Sequence, residues 1–365
     1  MIKYTHGGDI YKYDNKILDF SANINPLGMP QSAKSAIINS IDKYQTYPDY
    51  SSRKLRNALS KFYEFDADKI VCGNGAADLI FRICLGLRPR KVLIPSPTFS
   101  EYEEAVDISG GEVHHHILKE SENFDVTLEI LESIDKDTDM IFLCSPNNPT
   151  GRAVNLDIIE GILIKLQENN GILVLDQCFV HFLVEEDEYF AINLLKKYDN
   201  LIILGAFTKI FAMAGLRLGY ALFGSKDIAA KIQNTLQPWS VSTVASEAGC
   251  AALNRDFVDK TKDYVKSQRE FLTNALSDIG LKVFESQANY MLIKSNENIL
   301  DRDLADEALK HGVLIRKCSN FRGLSPSFFR IAVRTEEENK TLIKVFREII
   351  CGNNNNRRSN NRLTF

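Results

Sequence analysis

The most informative part of this chain is the stretch Phe207-Thr208-Lys209-Ile210-Phe211-Ala212-Met213-Ala214-Gly215-Leu216-Arg217-Leu218-Gly219-Tyr220. It follows the apolar run Leu201-Ile202-Ile203-Leu204, which predicts a buried strand. An amine in an apolar pocket loses its proton more readily and can form a Schiff base, and an arginine offers a planar fork to a phosphate. Lys209 and Arg217 therefore suit pyridoxal phosphate, which carries one aldehyde and one phosphate. From this segment alone, a surface lysine beside a structural arginine remains the alternative.

An acidic residue, Asp176, ends a second apolar run, Gly171-Ile172-Leu173-Val174-Leu175. The carboxyl end of a buried parallel strand faces the ligand crevice of an open α/β sheet. A carboxylate there can hold a pyridine nitrogen protonated, which makes the ring an electron sink. A helix cap after the strand is the ordinary alternative for Asp176.

Two turns follow other predicted strands. The turn Ser145-Pro146-Asn147-Asn148-Pro149-Thr150-Gly151 follows the strand at 139–143 and is made rigid by its prolines and glycine. It presents the Asn148 amide to a ring oxygen. The stretch Gly73-Asn74-Gly75-Ala76-Ala77-Asp78 opens a helix, whose free N–H groups can hold a phosphate, although such a stretch can also be only a loop.

In this order and spacing, these motifs resemble those of the fold-type I pyridoxal-phosphate enzymes. The match lies in the aspartate aminotransferase superfamily, in its histidinol-phosphate aminotransferase branch. Four further stretches are similar to the threonine-phosphate decarboxylase family of cobalamin biosynthesis: residues 6–11, 18–28, 237–241 and 329–334. The resemblance implies an α/β fold with a large, mostly parallel sheet domain, helices on both of its faces, and a small C-terminal α+β domain.

The resemblance also implies how the cofactor is held. Lys209 would form the Schiff base and move a proton, and Asp176 would pair with the pyridinium nitrogen. The other implied contacts are Gly75, Ala76, Thr208 and Arg217 at the phosphate, Phe99 on the ring face, Asn148 at the ring oxygen, and Tyr47 at the phosphate of the neighbouring subunit in a homodimer. From sequence alone, Phe99 could equally be a core aromatic residue.

A small phosphorylated amino acid is the implied substrate. Arg330 would bind its carboxylate bidentately. The residues implied to hold the rest of the substrate are His6, Gly7, Asn23, Asn148 and Arg316. By itself, His6 would be interpreted as a solvated N-terminal histidine.

Several reactions are compatible with these motifs. The resemblance favours decarboxylation of O-phospho-L-threonine to (R)-1-amino-2-propanol phosphate, with O-phospho-L-serine as a close variant. Transamination of histidinol phosphate with 2-oxoglutarate and an inactive ligand-binding paralogue remain alternatives. The chain departs from the usual pattern at Ala206, Gln177, Cys178, Phe179 and His181, which leaves the substrate less certain than the cofactor.

Composition excludes several classes of protein. A net charge of −4 gives no excess of positive charge that would attract nucleic acid or an anionic membrane surface. The seven cysteines are scattered and form no CxxC pair, which predicts buried thiols in a reducing cytoplasm. His114, His115 and His116 would alternate between the faces of a strand, so we expect no metal site there.

Strands near 69–72, 91–95, 112–117, 139–143, 172–176 and 201–205 alternate with helical patterns, which predicts the mostly parallel sheet. We expect an N-terminal arm at 1–40 that packs on the small domain and the active site. The large domain is predicted at 41–253, and the small domain at 254–351. A polar, asparagine-rich tail at 352–365 is predicted to be disordered.

Overall fold

The computed structural model describes residues 6–13, 17–295 and 303–360, with side chains described as far as Ile350. Its strands are β1 Leu18–Asp19, β2 Ile70–Gly73, β3 Lys91–Ser96, β4 Glu112–Ile117, β5 Met140–Cys144, β6 Ile172–Asp176, β7 Leu201–Ala206, β8 Gly219–Phe223, β9 Lys282–Val283, β10 Tyr290–Lys294, β11 Val313–Leu314, β12 Arg316–Lys317 and β13 Phe328–Ala332. Its α-helices are α1 Gln31–Asn39, α2 Arg53–Tyr63, α3 Ala76–Leu87, α4 Glu101–Ser109, α5 Leu156–Gln167, α6 Glu186–Tyr189, α7 Phe207–Ile210, α8 Lys226–Gln233, α9 Thr243–Ala252, α10 Arg255–Asp278, α11 Leu304–Lys310 and α12 Glu336–Asn360.

A seven-stranded sheet in the order β2-β8-β7-β6-β5-β3-β4 forms the centre of the large domain. β8 pairs antiparallel with both of its neighbours, and the other strands run parallel to one another. The predicted mostly parallel sheet is therefore confirmed. β8 was not among the predicted strands, because its first residues, Gly219 and Tyr220, were interpreted as the end of a phosphate-binding turn.

Both faces of this sheet are covered, because successive residues of a strand point to opposite faces. In β6, Leu173 and Leu175 belong to one hydrophobic cluster, which also contains residues of α2, α5, α9 and α10. Val174 belongs to the other cluster, together with residues of α3, α4 and α8. The near-continuous apolar runs of the sequence reflect this burial on both sides.

The small domain is built on the antiparallel sheet β12-β13-β10-β9. β1 of the arm pairs parallel with β11, and the Ala332 N–H donates to the Phe20 carbonyl oxygen at 2.9 Å. The arm therefore packs on the small domain. The strand predicted at 313–316 is two short strands, because the chain changes partner from the arm in β11 to β13 in β12.

The last helix is longer than the sequence suggested. α12 continues through Asn360, whereas disorder was predicted from residue 352. The chain contains no proline after Glu336 that would break the helical backbone. Residues 361–365 of the predicted tail, and residues 1–5 of the predicted arm, lie outside the described residues.

The carboxyl ends of three neighbouring parallel strands bring the predicted site together. Cys144 at the end of β5 pairs in register with Asp176 at the end of β6, and Asp176 pairs with Leu204 of β7. The loops that leave β5 and β6 begin at 145 and 177, and α7 begins at 207, directly after β7. The predicted asparagine turn, the acidic residue and the lysine segment therefore meet at one edge of the sheet.

Replacing Gly219 with alanine should destabilise the fold. A Cβ at this position would lie 2.4 Å from the Ala76 backbone nitrogen, and neither backbone can move away easily. We expect a loss of ~1–3 kcal/mol in the free energy of unfolding, measured by urea denaturation. Gly215→Ala is the matched control, because nothing lies within 4 Å of a Cβ there. If the two variants are equally stable, a side chain at position 219 does not press on the Ala76 backbone.

Candidate active site

A cavity of about 190 Å³ lies at the carboxyl edge of the large sheet. It is lined by residues from the arm, both domains and the loops that follow β5, β6 and β7. The sequence-predicted site residues that line it are Asn23, Ala76, Phe99, Asn148, Asp176, Thr208, Lys209, Arg217 and Arg330. The fold thus gathers residues that are up to three hundred positions apart into one cavity.

The side chain of Lys209 lines the cavity. Lys209 lies in α7, a short helix that begins directly after β7. Burial, together with the positive charges of Arg330 and Arg217, lowers the pKa of Lys209 to about 8. About a tenth of the amine is therefore neutral at pH 7, far more than for an exposed lysine, and the neutral form is the one that attacks a carbonyl.

Asp176 is buried at the end of β6 and accepts two hydrogen bonds. The Tyr102 hydroxyl donates to Oδ2 at 2.7 Å, and the Cys178 backbone N–H donates to Oδ1 at 3.0 Å. Burial and the negative charge of Asp176 raise the pKa of Tyr102 well above its ordinary value, so Tyr102 remains a donor. These donors hold the carboxylate in place at the cavity wall.

Tyr102 and Cys144 line the cavity but were not predicted as site residues. Tyr102 lies in α4, three positions after Phe99, and its ring stacks on that of Phe142 with centroids 5.0 Å apart. In the sequence, Tyr102 lies in an apolar helical pattern, which is typical of a core residue. Only the spatial approach of α4 to the end of β6 reveals the contact with Asp176.

One end of the cavity has the properties of a phosphate site. α3 begins at Ala76, and both Ala76 and Ala77 line the cavity at the start of this helix. Gly75 has a φ of +90°, and a Cβ there would lie 2.6 Å from Nη2 of Arg217. The glycine therefore lets the Arg217 guanidinium approach the helix N-terminus, where backbone N–H groups and the helix dipole favour an anion.

At the other end of the cavity, Arg330 connects three parts of the chain. It lies on β13; its Nη2 donates to the Ser21 carbonyl oxygen at 2.6 Å, and its Nη1 donates to Oδ1 of Asn148. Burial lowers the pKa of Arg330 to about 10, so the guanidinium stays charged at neutral pH. Among the described residues, its Nε and the buried Oδ1 of Asn23 have no hydrogen-bond partner. Both groups are available to a polar ligand.

These residues fit pyridoxal phosphate on the geometry of the cavity alone. The cavity combines a partly neutral lysine, a buried carboxylate, an aromatic ring at Phe99 and an anion-binding end at Arg217. These side chains offer a partner to the aldehyde, the ring nitrogen, the ring face and the phosphate of that group.

Other predicted site residues lie outside this cavity. His6, Gly7 and Arg316 line a second cavity of about 190 Å³ between the arm and the small domain. Tyr47 is largely exposed, and its ring stacks on Trp239 with centroids 4.6 Å apart. Gly75 lies against Arg217 without being part of the cavity lining. The roles of all these residues stay predictions.

The unusual residues after Asp176 have separate structural roles. Gln177 points to the 189–191 segment, where its amide donates to the Tyr189 carbonyl oxygen at 2.8 Å and accepts from the Ala191 N–H at 3.0 Å. His181 is buried between Tyr63 and Glu186. In contrast, Cys178, Phe179 and Ala206 line the cavity, so these three departures from the usual pattern are the ones that can affect the ligand.

Comparison with known proteins gives the same family throughout. The profile described as aminotransferase class I and II matches residues 15–346. The threonine-phosphate decarboxylase of Salmonella typhimurium is 35% identical over 95% of this chain and 97% of its own. The solved histidinol-phosphate aminotransferase of Clostridium acetobutylicum is 32% identical, with a TM-score of 0.85 over 91% of this chain and 99% of its own. The solved L-threonine-O-3-phosphate decarboxylase of Porphyromonas gingivalis is 27% identical, with a TM-score of 0.78 over 89% and 97% of the two chains.

These similarities confirm the predicted fold-type I architecture. In the part of the chain that the structure describes, no helix is long and apolar enough to cross a membrane. Within the same residues, no group of three or more His, Cys, Asp or Glu side chains is placed to hold a metal ion.

The pH dependence of covalent cofactor attachment should report the lowered pKa of Lys209. Only the neutral amine attacks an aldehyde, so the attachment rate should rise about tenfold per pH unit until it levels near pH 8. The measurement mixes the cofactor-free protein with pyridoxal phosphate, traps the adduct with borohydride and locates it by peptide mass. Lys209→Ala should show no adduct at this position. A midpoint near that of free lysine, ~10.4, would contradict the burial argument.

Proposed function

Because the chain belongs to the aminotransferase class I and II family, we propose that it is a pyridoxal-phosphate-dependent decarboxylase of O-phospho-L-threonine. The product would be (R)-1-amino-2-propanol O-2-phosphate, an intermediate for cobalamin biosynthesis. The observation that carries the proposal is the position of the arm. Its residues Ser21 and Asn23 reach the cavity wall beside Arg330, and the same arm places His6 and Gly7 next to Arg316.

The residues at the cavity wall support pyridoxal phosphate as the cofactor. When bound, pyridoxal phosphate supplies an aldehyde for the amino group and a ring that accepts the electron pair released at Cα. Asp176 would keep the ring nitrogen protonated, and Arg217, Thr208 and the N-terminus of α3 would hold the phosphate. Phe99 would lie on the ring face, and the Asn148 amide would donate to the ring oxygen.

The substrate is held at two ends in this proposal. Arg330 would bind the carboxylate with its unpaired Nε and a neighbouring N–H, and His6, Gly7 and Arg316 would bind the phosphate. Two anchored ends leave the substrate little rotational freedom, which fixes the Cα bond that stands across the ring plane. The ring of bound pyridoxal phosphate would accept the electron pair of the bond that is cleaved. Lys209 would then place a proton on Cα.

Transamination of histidinol phosphate is the second candidate function. The similarity to the aminotransferase of Clostridium acetobutylicum favours it. An aminotransferase would hold the Cα–H bond across the ring plane in place of the bond to the carboxylate. An inactive paralogue has weaker support, because Gln177 and His181 lie away from the cavity and the lysine, acid and arginine are all present.

We also propose that the protein works as a cytoplasmic homodimer. The exposed ring of Tyr47 lies outside the cavity of its own chain, which supports a role at the phosphate site of a second copy. The described cysteines are all free thiols, which supports a reducing compartment.

Incubation with O-phospho-L-threonine tests the proposed function. The purified protein with pyridoxal phosphate should release carbon dioxide and an aminopropanol phosphate without 2-oxoglutarate. O-phospho-L-serine should react more slowly, because one methyl group in a pocket is worth only ~1–3 kcal/mol. Turnover of histidinol phosphate that requires 2-oxoglutarate, with no release of carbon dioxide from phosphothreonine, would support the second candidate.

Asp176→Asn should keep the cofactor bound but lose most of the activity. An amide does not hold the ring nitrogen protonated, so the electron pair from Cα loses its acceptor. We expect kcat to fall more than about tenfold, which corresponds to ~1.4 kcal/mol of activation free energy. Asp157→Asn, an exposed carboxylate on α5, is the matched control. A smaller loss would remove Asp176 from the catalytic role.

A further inference from the structure

We propose that Glu101 is a positioning residue for His6, and that its carboxylate determines which ring nitrogen of His6 faces the substrate phosphate. The inference rests on the proposed function, because it takes His6 as a phosphate ligand. Glu101 was not among the predicted site residues. It is the first residue of α4 and follows Phe99, which lines the main cavity, by two positions.

The contact between Glu101 and His6 joins the large domain to the arm. Oε1 of Glu101 lies 3.1 Å from Nε2 of His6, and the side chain of Glu101 is only 13% exposed. The Ser100 hydroxyl donates to the other carboxylate oxygen at 3.3 Å. Burial raises the pKa of Glu101, and the nearby His6 opposes this shift. The contacts with Ser100 and His6 place the carboxylate against one nitrogen of the imidazole.

The carboxylate of Glu101 limits which ring nitrogen of His6 can donate a hydrogen bond to the substrate. An ionised carboxylate only accepts hydrogen bonds, so the Nε2 nitrogen beside it must carry the hydrogen. In neutral His6 the other nitrogen, Nδ1, is then an acceptor and cannot donate to a phosphate dianion. In the charged imidazolium both nitrogens donate. With Glu101 in place, His6 can donate to the substrate phosphate only when it is protonated.

Other charged groups line the same cavity as His6. Arg316 lies on β12 and is implied to bind the same phosphate. Burial lowers the pKa of Arg316, and Cys318 and Glu101 oppose this shift. The remaining charges form ion pairs with one another: Asp9 with Lys12 at 2.6 Å, and Lys317 with Asp303 at 3.0 Å and Asp306 at 2.7 Å. On α4 itself, Glu103 pairs with Arg322 at 3.1 Å. Among the described residues, Glu101 is the ion-pair partner of His6.

Glutamine in place of Glu101 separates this role from a purely structural one. The glutamine amide can donate as well as accept, so it permits the neutral tautomer that carries hydrogen on Nδ1. In the wild-type holoenzyme, the KM for phosphothreonine should rise with pH, because only the charged imidazolium of His6 can donate to the phosphate while Glu101 accepts from Nε2. In Glu101→Gln this rise should be at most half as large. Glu168→Gln, an exposed carboxylate at the end of α5, is the matched control and should keep the wild-type profile.

Imidazole nitrogen NMR on the ¹⁵N-histidine-labelled holoenzyme provides a test that needs no turnover. The spectrum of a His6→Asn variant identifies the His6 signals. At high pH, neutral His6 should carry its hydrogen on Nε2 in the wild-type protein, and Glu101→Gln should shift the population towards Nδ1. An Nδ1–H tautomer in the wild type, or the same tautomer in both proteins, would overturn the proposal. If phosphothreonine is not turned over, the proposed function fails, and the NMR result still decides the role of Glu101.

Discussion

The parallel pairing of β5, β6 and β7 is the constraint on which the rest of the site depends. Parallel strands in register end at the same edge of a sheet, so the residues that follow them must share one crevice. The pairing of Cys144 with Asp176, and of Asp176 with Leu204, places the asparagine turn, the carboxylate and the lysine helix side by side. A register shift of one residue in β6 would turn Asp176 to the opposite face of the sheet.

Burial on both faces of this sheet also creates the electrostatic character of the site. The amine of Lys209 lies in an environment that disfavours its charge, and two arginines add to this effect. The same apolar surroundings strengthen the hydrogen bond that Tyr102 donates to Asp176. An amine that is partly neutral and a carboxylate that is fixed by donors are the two groups that the proposed chemistry requires. Arg330 adds a third constraint, because its hydrogen bonds to Ser21 and Asn148 hold the arm and both domains around the cavity.

Much of this arrangement could be predicted from the sequence, because local patterns specify it. The apolar runs before Asp176 and Lys209 predict strands, and the order of the motifs predicts a common edge. β8 was missed because the glycines of the Arg217 segment also suit a turn. The contacts of Tyr102 and Glu101 could not be predicted, because both residues lie on an ordinary amphipathic helix. Their roles depend on where α4 meets β6 and the arm, which are 70 or more positions away in the sequence.

In the proposed reaction, the bond between Cα and the carboxylate of a phosphorylated amino acid breaks, and the Cα–H bond stays intact. The most direct measurement is the reaction of O-phospho-L-threonine in D₂O, with the product analysed by NMR and mass spectrometry. Our account predicts an aminopropanol phosphate that retains the original Cα hydrogen and gains one deuterium in place of the carboxylate. Loss of the original Cα hydrogen to solvent without release of carbon dioxide would contradict it.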